Sequence, residues 1–214
     1  MSSLEIGPEW DGLISELSAA GAASVQAGLA IASGGNFSAR LHESGNVLVT
    51  ATGAFLNRLT RESFALLSPD GVALTTIRPS SEWRLHHEVF RVRPDANVIM
   101  HLHPEVCVAL DMLEVPIRQM TLDHVAYIPT IARIPFFPNG SQALASEAGN
   151  AMRHADCLVL GNHGCSVLGT TVDDAFRRAN NLEQAARMTY NFLVLGDKET
   201  EFPPALRATA VHSG

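Results

Sequence analysis

The sequence RPDANVIMHLHP, residues 93–104, places two histidines at the end of an apolar run. Residues 97–103 predict a buried strand, and Pro104 is expected to open a helix directly after it. Because side chains alternate along a strand, His101 and His103 project from the same face. Two imidazoles placed in this way can bind one metal ion. Two core histidines bonded to backbone groups would show the same pattern.

His163 is the third candidate ligand, and it lies between Gly161 and Gly164 in the sequence LGNHG. The glycines allow a tight turn that presents the imidazole at the edge of the sheet. Three histidine ligands with one open position are typical of catalytic zinc, whereas structural zinc usually takes all four ligands from the protein. The sequence therefore predicts a catalytic metal site at His101, His103 and His163.

A catalytic metal needs an acid or base nearby, and Glu82 in PSSEWRLHHE is the candidate. Ser80 and Ser81 are expected to cap a helix that continues to about residue 93. A glutamate in a first helical turn is also common simply because the helix dipole favours it. His86 and His87 follow on the same helix, and we expect one or both to be exposed rather than to bind metal.

Three short motifs suit an anion. They are the helix start at Ser80 and Ser81, the loop SGGNFS that contains Asn36, and the pair Thr52 and Gly53 in TATG. Backbone N–H groups and hydroxyls at such places can bind phosphate. Each motif alone is also an ordinary turn. The chain has no GxGxxG or GxxxxGK[ST] sequence, which argues against a dinucleotide or P-loop nucleotide site.

The other segments alternate short strands with helices. Helices are predicted from Pro8 to before residue 31, from Pro104 onward, over 142–154 and over 172–195, where Gly196 ends the last one. Strands are predicted at 46–50, 64–67, 72–76, 157–160 and 167–168, the second and third forming a hairpin around 68–71. This order predicts a mixed sheet covered by helices rather than a uniform βαβ series.

Composition excludes several classes of protein. The chain has 214 residues, 46% hydrophobic and 17% charged, so we expect one globular domain over residues 1–214 rather than disorder. Fifteen basic against 22 acidic residues argue against a nucleic-acid binder. The chain has no apolar run of about 18 residues, which argues against a membrane span. Its N-terminus lacks a basic segment followed by an apolar run, which argues against a signal peptide. Three cysteines without CxxC spacing predict a reducing, cytoplasmic location.

Taken together, GGNFSAR, TATG, PSSEW, RPDANVIMHLHP and GNHG, in this order and followed by a long helix, resemble the class II aldolase/adducin superfamily. The resemblance spans about residues 29–196 and is strongest to the L-fuculose-1-phosphate aldolase branch. It implies a three-layer α/β/α domain around a mainly antiparallel central sheet. It also implies a homotetramer with active sites between neighbouring subunits.

The resemblance further implies a role for each candidate residue. One zinc ion per subunit, or another divalent ion such as Mn²⁺ or Co²⁺, would be bound by His101, His103 and His163. Glu82 matches the acid/base carboxylate. The phosphate pocket of a small phosphorylated sugar would be formed by Asn36, Thr52, Gly53, Ser80 and Ser81. The implied reaction cleaves or forms a C–C bond of a phosphorylated ketose through a metal-stabilised enediolate of dihydroxyacetone phosphate.

One segment departs from the aldolase pattern. The sequence TIARIPFFPNGSQAL, residues 130–144, resembles a segment in which the aldolases have a tyrosine that acts on the aldehyde oxygen, and Phe136 stands there. Phenylalanine cannot transfer a proton, and Tyr127 and Tyr190 lie outside the matching motif. Decarboxylases and dehydratases of the same superfamily are therefore alternatives. A glutamate at Glu82 argues against the epimerases, and the retained histidines argue against an adducin-like interaction module.

Overall fold

The computed structural model describes residues 5–210, so the first four and last four residues of the predicted domain lie outside the described range. Seven strands form the sheet in this part of the chain. They are β1 (Asn36–Arg40), β2 (Val47–Thr50), β3 (Phe64–Leu67), β4 (Val98–Leu102), β5 (Ile131–Ile134), β6 (Cys157–Leu160) and β7 (Gly164–Gly169). The α-helices are α1 (Asp11–Gln26), α2 (Trp83–Val92), α3 (Glu105–Met112), α4 (Leu122–Tyr127), α5 (Gln142–Ala151) and α6 (Val172–Val194).

The strand order is β3-β2-β1-β4-β7-β6-β5. Every neighbouring pair is antiparallel except β5 and β6, which run parallel. The strand β4, which contains His101, pairs with β1 on one side and with β7 on the other. The sheet is mainly antiparallel, as expected, and His101 lies on its central strand.

Helices cover both faces of the sheet and make three layers. Met100 and Leu102 of β4 pack with residues of α1, α3 and α6 in one hydrophobic core. Ile99 belongs to a second core on the opposite face, with residues of α2 and α5. Since side chains alternate along β4, His101 shares the face of Ile99, which α2 covers. None of the helices within residues 5–210 is long and apolar enough to cross a membrane.

All three cysteines are buried free thiols in the core between the sheet and helices α3 and α6. Cys107 lies on α3, Cys157 on β6 and Cys165 on β7. Burial raises the pKa of the Cys157 thiol far above its usual range. All three cysteines are therefore core residues, and Cys157 has little thiolate character.

Most predicted elements are present, and some predictions were wrong. Residues 72–76 form no strand; the expected hairpin is reduced to the turn at 68–71 and one isolated bridge between Leu67 and Ala73. Neither serine caps α2: its N-cap residue is Glu82, and Ser80 instead accepts a hydrogen bond from the Glu82 N–H. The elements β1, β5 and α4 were not predicted at all.

Candidate functional site

Three imidazoles converge where β4 and the β6–β7 turn meet. His101 is in β4, His103 follows that strand, and His163 lies in the turn. Their ring centroids are 4.9, 4.8 and 5.2 Å apart, and one nitrogen from each lies within 4.8 Å of the others. The Nε2 atoms of His101 and His103 are 2.9 Å apart. This donor set and spacing suit one divalent metal ion.

The sheet register orients His101. His101 pairs directly with Ser166 of β7, and the Ser166 hydroxyl is 3.2 Å from His101 Nδ1. A hydrogen bond on Nδ1 leaves Nε2 as the nitrogen that faces the other two rings. Ser166 was not predicted from the sequence, where the pairing of two apolar strands was its only signal.

Close packing fixes the position of His103, the second ligand candidate. A Cβ at Gly164 would lie 2.4 Å from the Leu102 carbonyl oxygen and 2.5 Å from the His103 ring. Any larger residue at position 164 would therefore displace either the strand or the ring. The His103 N–H also donates to the Leu29 carbonyl, at 3.0 Å.

A buried carboxylate holds the turn that carries His163. Asp111 on α3 accepts a hydrogen bond from the Asn162 N–H at 2.8 Å, and Asn162 has a left-handed backbone conformation with φ of 51°. The other oxygen of Asp111 accepts from Arg133 Nε at 2.5 Å. Asp111 was not predicted from the sequence, where an acidic residue after the apolar run VCVAL was its only signal.

Glu82 lies against the histidines. Its Oε2 is 3.0 Å from His101 Nε2 and accepts a hydrogen bond from Asn36 Nδ2 at 3.0 Å, while Oε1 is 3.5 Å from His163 Nε2. Burial by itself raises the pKa of this carboxyl, but His101, His163 and Asn36 outweigh burial and hold the pKa well below its usual range. The buried Oε1 makes no hydrogen bond within residues 5–210. A carboxylate oxygen left in this way beside three imidazoles fits a site that binds a cation.

The pKa values of two ligand candidates, His103 and His163, are lowered, which favours their neutral form. Burial, reinforced by the neighbouring histidines, lowers the pKa of His103 to about 4, and burial also lowers the pKa of His163. Neutral rings keep the nitrogen lone pairs that a metal ion needs.

A cavity of about 140 Å³ lies beside this cluster. All five predicted phosphate residues line it, together with Glu82, His103 and His163: Asn36, Thr52, Gly53, Ser80 and Ser81. His101 completes the group through its contact with Glu82. Ser33 and Asn139 also line the cavity and were missed. The structure thus brings every predicted site residue into one place.

The hydrogen-bond donors of the cavity are uncharged. Among residues 5–210, no lysine or arginine lines the cavity. The Thr52 hydroxyl donates to the Pro79 carbonyl at 2.6 Å, so its proton is already committed. The backbone N–H groups of Gly53 and Ser81 have no hydrogen-bond acceptor among the described residues. These two N–H groups are therefore candidate donors for an anion.

Phe136 lies outside the residues that line the cavity. It is 60% exposed and follows β5, with its backbone close to Gly161. Tyr190 on α6 is also exposed, and Tyr127 on α4 lies under Arg177. Within the part of the chain that the structure describes, no tyrosine lines the cavity.

His86 differs from the expectation. It is fully buried, and His87 is only half-buried. His86 does not join the histidine cluster, because its two nitrogens contact Asn36 and Ser38 instead.

Sequence comparisons find relatives with two different activities. An L-fuculose phosphate aldolase of Methanocaldococcus jannaschii is 32% identical over 165 residues, 77% of this chain and 88% of that protein. A 3-oxo-tetronate 4-phosphate decarboxylase of Haemophilus influenzae is 31% identical over 168 residues, 76% of this chain and 80% of that protein. Sequence identity therefore does not separate the two activities.

The fold and the family are shown by further comparisons. YgbL of Escherichia coli, described as an aldolase/epimerase/decarboxylase, has a solved structure that superposes with a TM-score of 0.84 at 26% identity, covering 94% of this chain and 98% of that one. Residues 15–190 match the profile of the Class II Aldolase and Adducin N-terminal domain. The chain therefore belongs to the class II aldolase/adducin family.

Proposed function

We propose that this protein is a zinc-dependent aldolase that cleaves or forms a C–C bond of a phosphorylated ketose through an enediolate of dihydroxyacetone phosphate. The observation that carries the proposal is the contact of the buried Glu82 carboxylate with His101 and His163 at the wall of a cavity lined by neutral anion donors. Such chemistry requires three components: a metal ion, a proton acceptor and hydrogen-bond donors for the phosphate.

The metal would be held by His101, His103 and His163. When bound, it supplies Lewis-acid chemistry that stabilises negative charge on substrate oxygens. Measurement of metal content should give about one zinc per chain, and loss of activity on chelation should be reversed by Zn²⁺, with Mn²⁺ and Co²⁺ as alternatives.

Glu82 would move the proton. Asn36 occupies Oε2, so Oε1 is the oxygen available to take a proton from the carbon that becomes nucleophilic. The anionic state of Glu82, favoured by its neighbours, is the state that a base requires.

The phosphate would bind at Gly53 and Ser81. Two unpaired backbone N–H groups and serine hydroxyls can hold an anion without a cationic side chain. Because the donors are uncharged, we expect modest affinity that falls only gently with salt.

Exchange of the dihydroxyacetone phosphate C–H proton with deuterium from solvent tests the proposal directly. The proposed enzyme should catalyse this exchange, and it should condense dihydroxyacetone phosphate with an aldehyde. Exchange without condensation would favour the second candidate, and the absence of exchange would contradict the proposal.

The second candidate is a decarboxylase of a phosphorylated 3-oxo sugar acid. It is favoured by the Haemophilus relative and by the phenylalanine at Phe136. In such a substrate the C–C bond to the carboxylate breaks and CO₂ leaves. The electron pair of that bond stays on the sugar carbon and forms the same enediolate, which then takes up one proton. No aldehyde is involved, so no tyrosine is needed to protonate one. Release of CO₂ from 3-oxo-tetronate 4-phosphate distinguishes it from the aldolase.

A homotetramer in the cytoplasm belongs to the same proposal. Large apolar side chains are exposed on the last turns of α6, among them Val194 (69%), and beside it Leu195 (81%). Apolar surface of this kind is often covered by another subunit. Light scattering coupled to size exclusion should give four chains per particle.

A further inference from the structure

A chain of buried hydrogen bonds extends from Glu82 away from the cavity. Asn36 Nδ2 donates to Glu82 Oε2 at 3.0 Å, Asn36 Oδ1 is 2.5 Å from His86 Nε2, and His86 Nδ1 is 2.6 Å from the Ser38 hydroxyl. The exposure of these four residues is 3% for Glu82, 6% for Asn36 and 0% for His86 and Ser38. Each link is therefore protected from competition by water.

The fold brings these side chains together through two periodicities. Asn36 and Ser38 lie two residues apart in β1 and share the face that α2 covers. Glu82 and His86 lie four residues apart at the start of α2, so they lie on one side of the helix. Four residues from β1 and the start of α2 thus form one continuous chain of hydrogen bonds.

The direction of every hydrogen bond follows from the carboxylate. An ionised Glu82 can only accept, so Asn36 must turn its Nδ2 toward Glu82 and its Oδ1 toward His86. Oδ1 can only accept, so the proton of the neutral ring is on His86 Nε2. The remaining Nδ1 is then an acceptor, and the Ser38 hydroxyl must donate to it. Burial, with a smaller contribution from His101, lowers the pKa of His86 to about 3, which agrees with a neutral ring.

We propose that Ser38 and His86 are positioning residues which fix the orientation of the Asn36 amide and thereby hold Glu82 Oε2, leaving Oε1 for proton transfer. This inference rests on the proposed function only in giving Glu82 the role of acid/base. Without the Ser38 donor, His86 can adopt the Nδ1–H tautomer, whose Nε2 accepts a hydrogen bond. The Asn36 amide would then turn, and its oxygen would face the Glu82 carboxylate.

The tautomer can be measured without any substrate. In protein labelled with ¹⁵N-histidine, the ring shifts of His86, identified by their loss in His86→Gln, should show the Nε2–H form in the wild type. In Ser38→Ala they should show the Nδ1–H form or a mixture, and in Ser38→Thr, which keeps the hydroxyl, the wild-type form. A protonated or Nδ1–H ring in the wild type overturns the proposal.

Turnover provides the second measurement. Ser38→Ala should lower kcat about 10-fold, with KM and the apparent Kd for Zn²⁺ little changed, since loss of such outer contacts commonly costs 10–100-fold. Ser38→Thr should restore kcat. Ser24→Ala is the matched control, because Ser24 is another fully buried serine, on α1, whose hydroxyl has no partner within residues 5–210.

The outcomes separate this inference from the proposed function. If wild-type protein neither exchanges the dihydroxyacetone phosphate proton nor releases CO₂, the proposed function fails, while the tautomer of His86 still tests the hydrogen-bond chain. If the wild type turns over and Ser38→Ala keeps its kcat, or loses kcat only together with Zn²⁺ affinity, the positioning role is wrong.

Discussion

Glu82 is a carboxylate buried against histidines, and its burial is costly unless something compensates for the lost hydration. Here the compensation comes from Asn36 and from the imidazoles, since their effect on the pKa of Glu82 exceeds that of burial. A glutamate at an N-cap position also gains from the positive end of the helix dipole. At the scale of single residues, the site is prepared for cation binding by the placement of one acidic group.

Glu82→Gln should reduce turnover by about 10²-fold or more while Zn²⁺ affinity and phosphate affinity stay close to wild type. Glutamine has nearly the same shape, so positioning survives and only proton transfer is lost. Deuterium exchange into dihydroxyacetone phosphate measures the effect. Unchanged exchange in the variant would rule out Glu82 as the acid/base.

His86 should make the metal-free protein less stable in acid. Burial keeps His86 neutral in the folded state down to about pH 3, whereas an unfolded histidine takes up a proton near pH 6.5. The contribution of neutral His86 to the free energy of unfolding should therefore be complete above pH 6.5 and decrease as the pH drops from 6.5 towards about 3. Urea unfolding at several pH values should show a shallower decline in His86→Gln. His154→Gln, which replaces an exposed histidine, should keep the wild-type slope.

At the scale of elements, the site depends on how strands and turns are held in register. The register of β4 with β7 pairs His101 with Ser166, and the β6–β7 turn is fastened to α3 by Asp111. Asp111 also holds Arg133 of β5, so one carboxylate joins three elements beside a ligand. The geometry of the candidate metal site therefore also depends on residues outside the three histidines.

Asp111→Ala should weaken Zn²⁺ binding by about 10–100-fold, because the Asn162 N–H loses its acceptor and the turn that carries His163 is released. Competition with a chromophoric chelator measures the affinity. Asp70→Asn, in the exposed turn at 68–71, is a control for the lost charge and should bind like wild type. An Asp111→Ala protein with wild-type affinity would show that the turn keeps its shape without this hydrogen bond.

The elements that sequence analysis found are those with uninterrupted apolar runs or strong periodicity. The bounds of β4, β6 and α6 were predicted nearly to the residue. The two strands are apolar runs because both of their faces are buried, whereas α6 was found by the helical periodicity of its apolar residues. The strand β1, NFSAR, was missed because its site-facing positions, Asn36 and Ser38, are polar and follow two glycines. The strand β5 has only four residues, and its partner lies 26 positions away in the parallel register. Such pairing leaves no local signal.

At the scale of the whole molecule, the candidate metal ligands are distant in sequence and lie together because β4 and β7 are neighbours in the sheet. Residue spacing predicted the pair His101 and His103, and the sequence LGNHG added His163 as a third candidate. The fold shows that Glu82 lies against these histidines. The buried polar chain through His86 could not be predicted, because it depends on the packing of α2 on β1. That residues 1–214 form a single domain remains a prediction, although the one sheet uses strands from residue 36 to residue 169.

Zn²⁺ should stabilise the whole fold. A ligand that binds only the folded state at 100 times its Kd adds about 2.7 kcal/mol to the free energy of unfolding. The melting temperature should therefore rise with added Zn²⁺ and fall with a chelator. His103→Ala should remain folded, lose activity and show no such rise. A rise of the same size in His103→Ala would mean that the stabilising ion binds elsewhere.

The burial of Cys107, Cys157 and Cys165 has a practical consequence for such titrations. Dithiothreitol and mercaptoethanol are themselves zinc chelators, and they are usually added only to keep surface thiols from oxidising. A chain whose every thiol lies inside its core can be handled in buffers free of these reductants. Chelator competition then measures the affinity of the histidines rather than that of the additive. The rate at which a disulfide reagent reacts with these thiols also measures transient opening, because the reagent can reach them only when the core is briefly exposed.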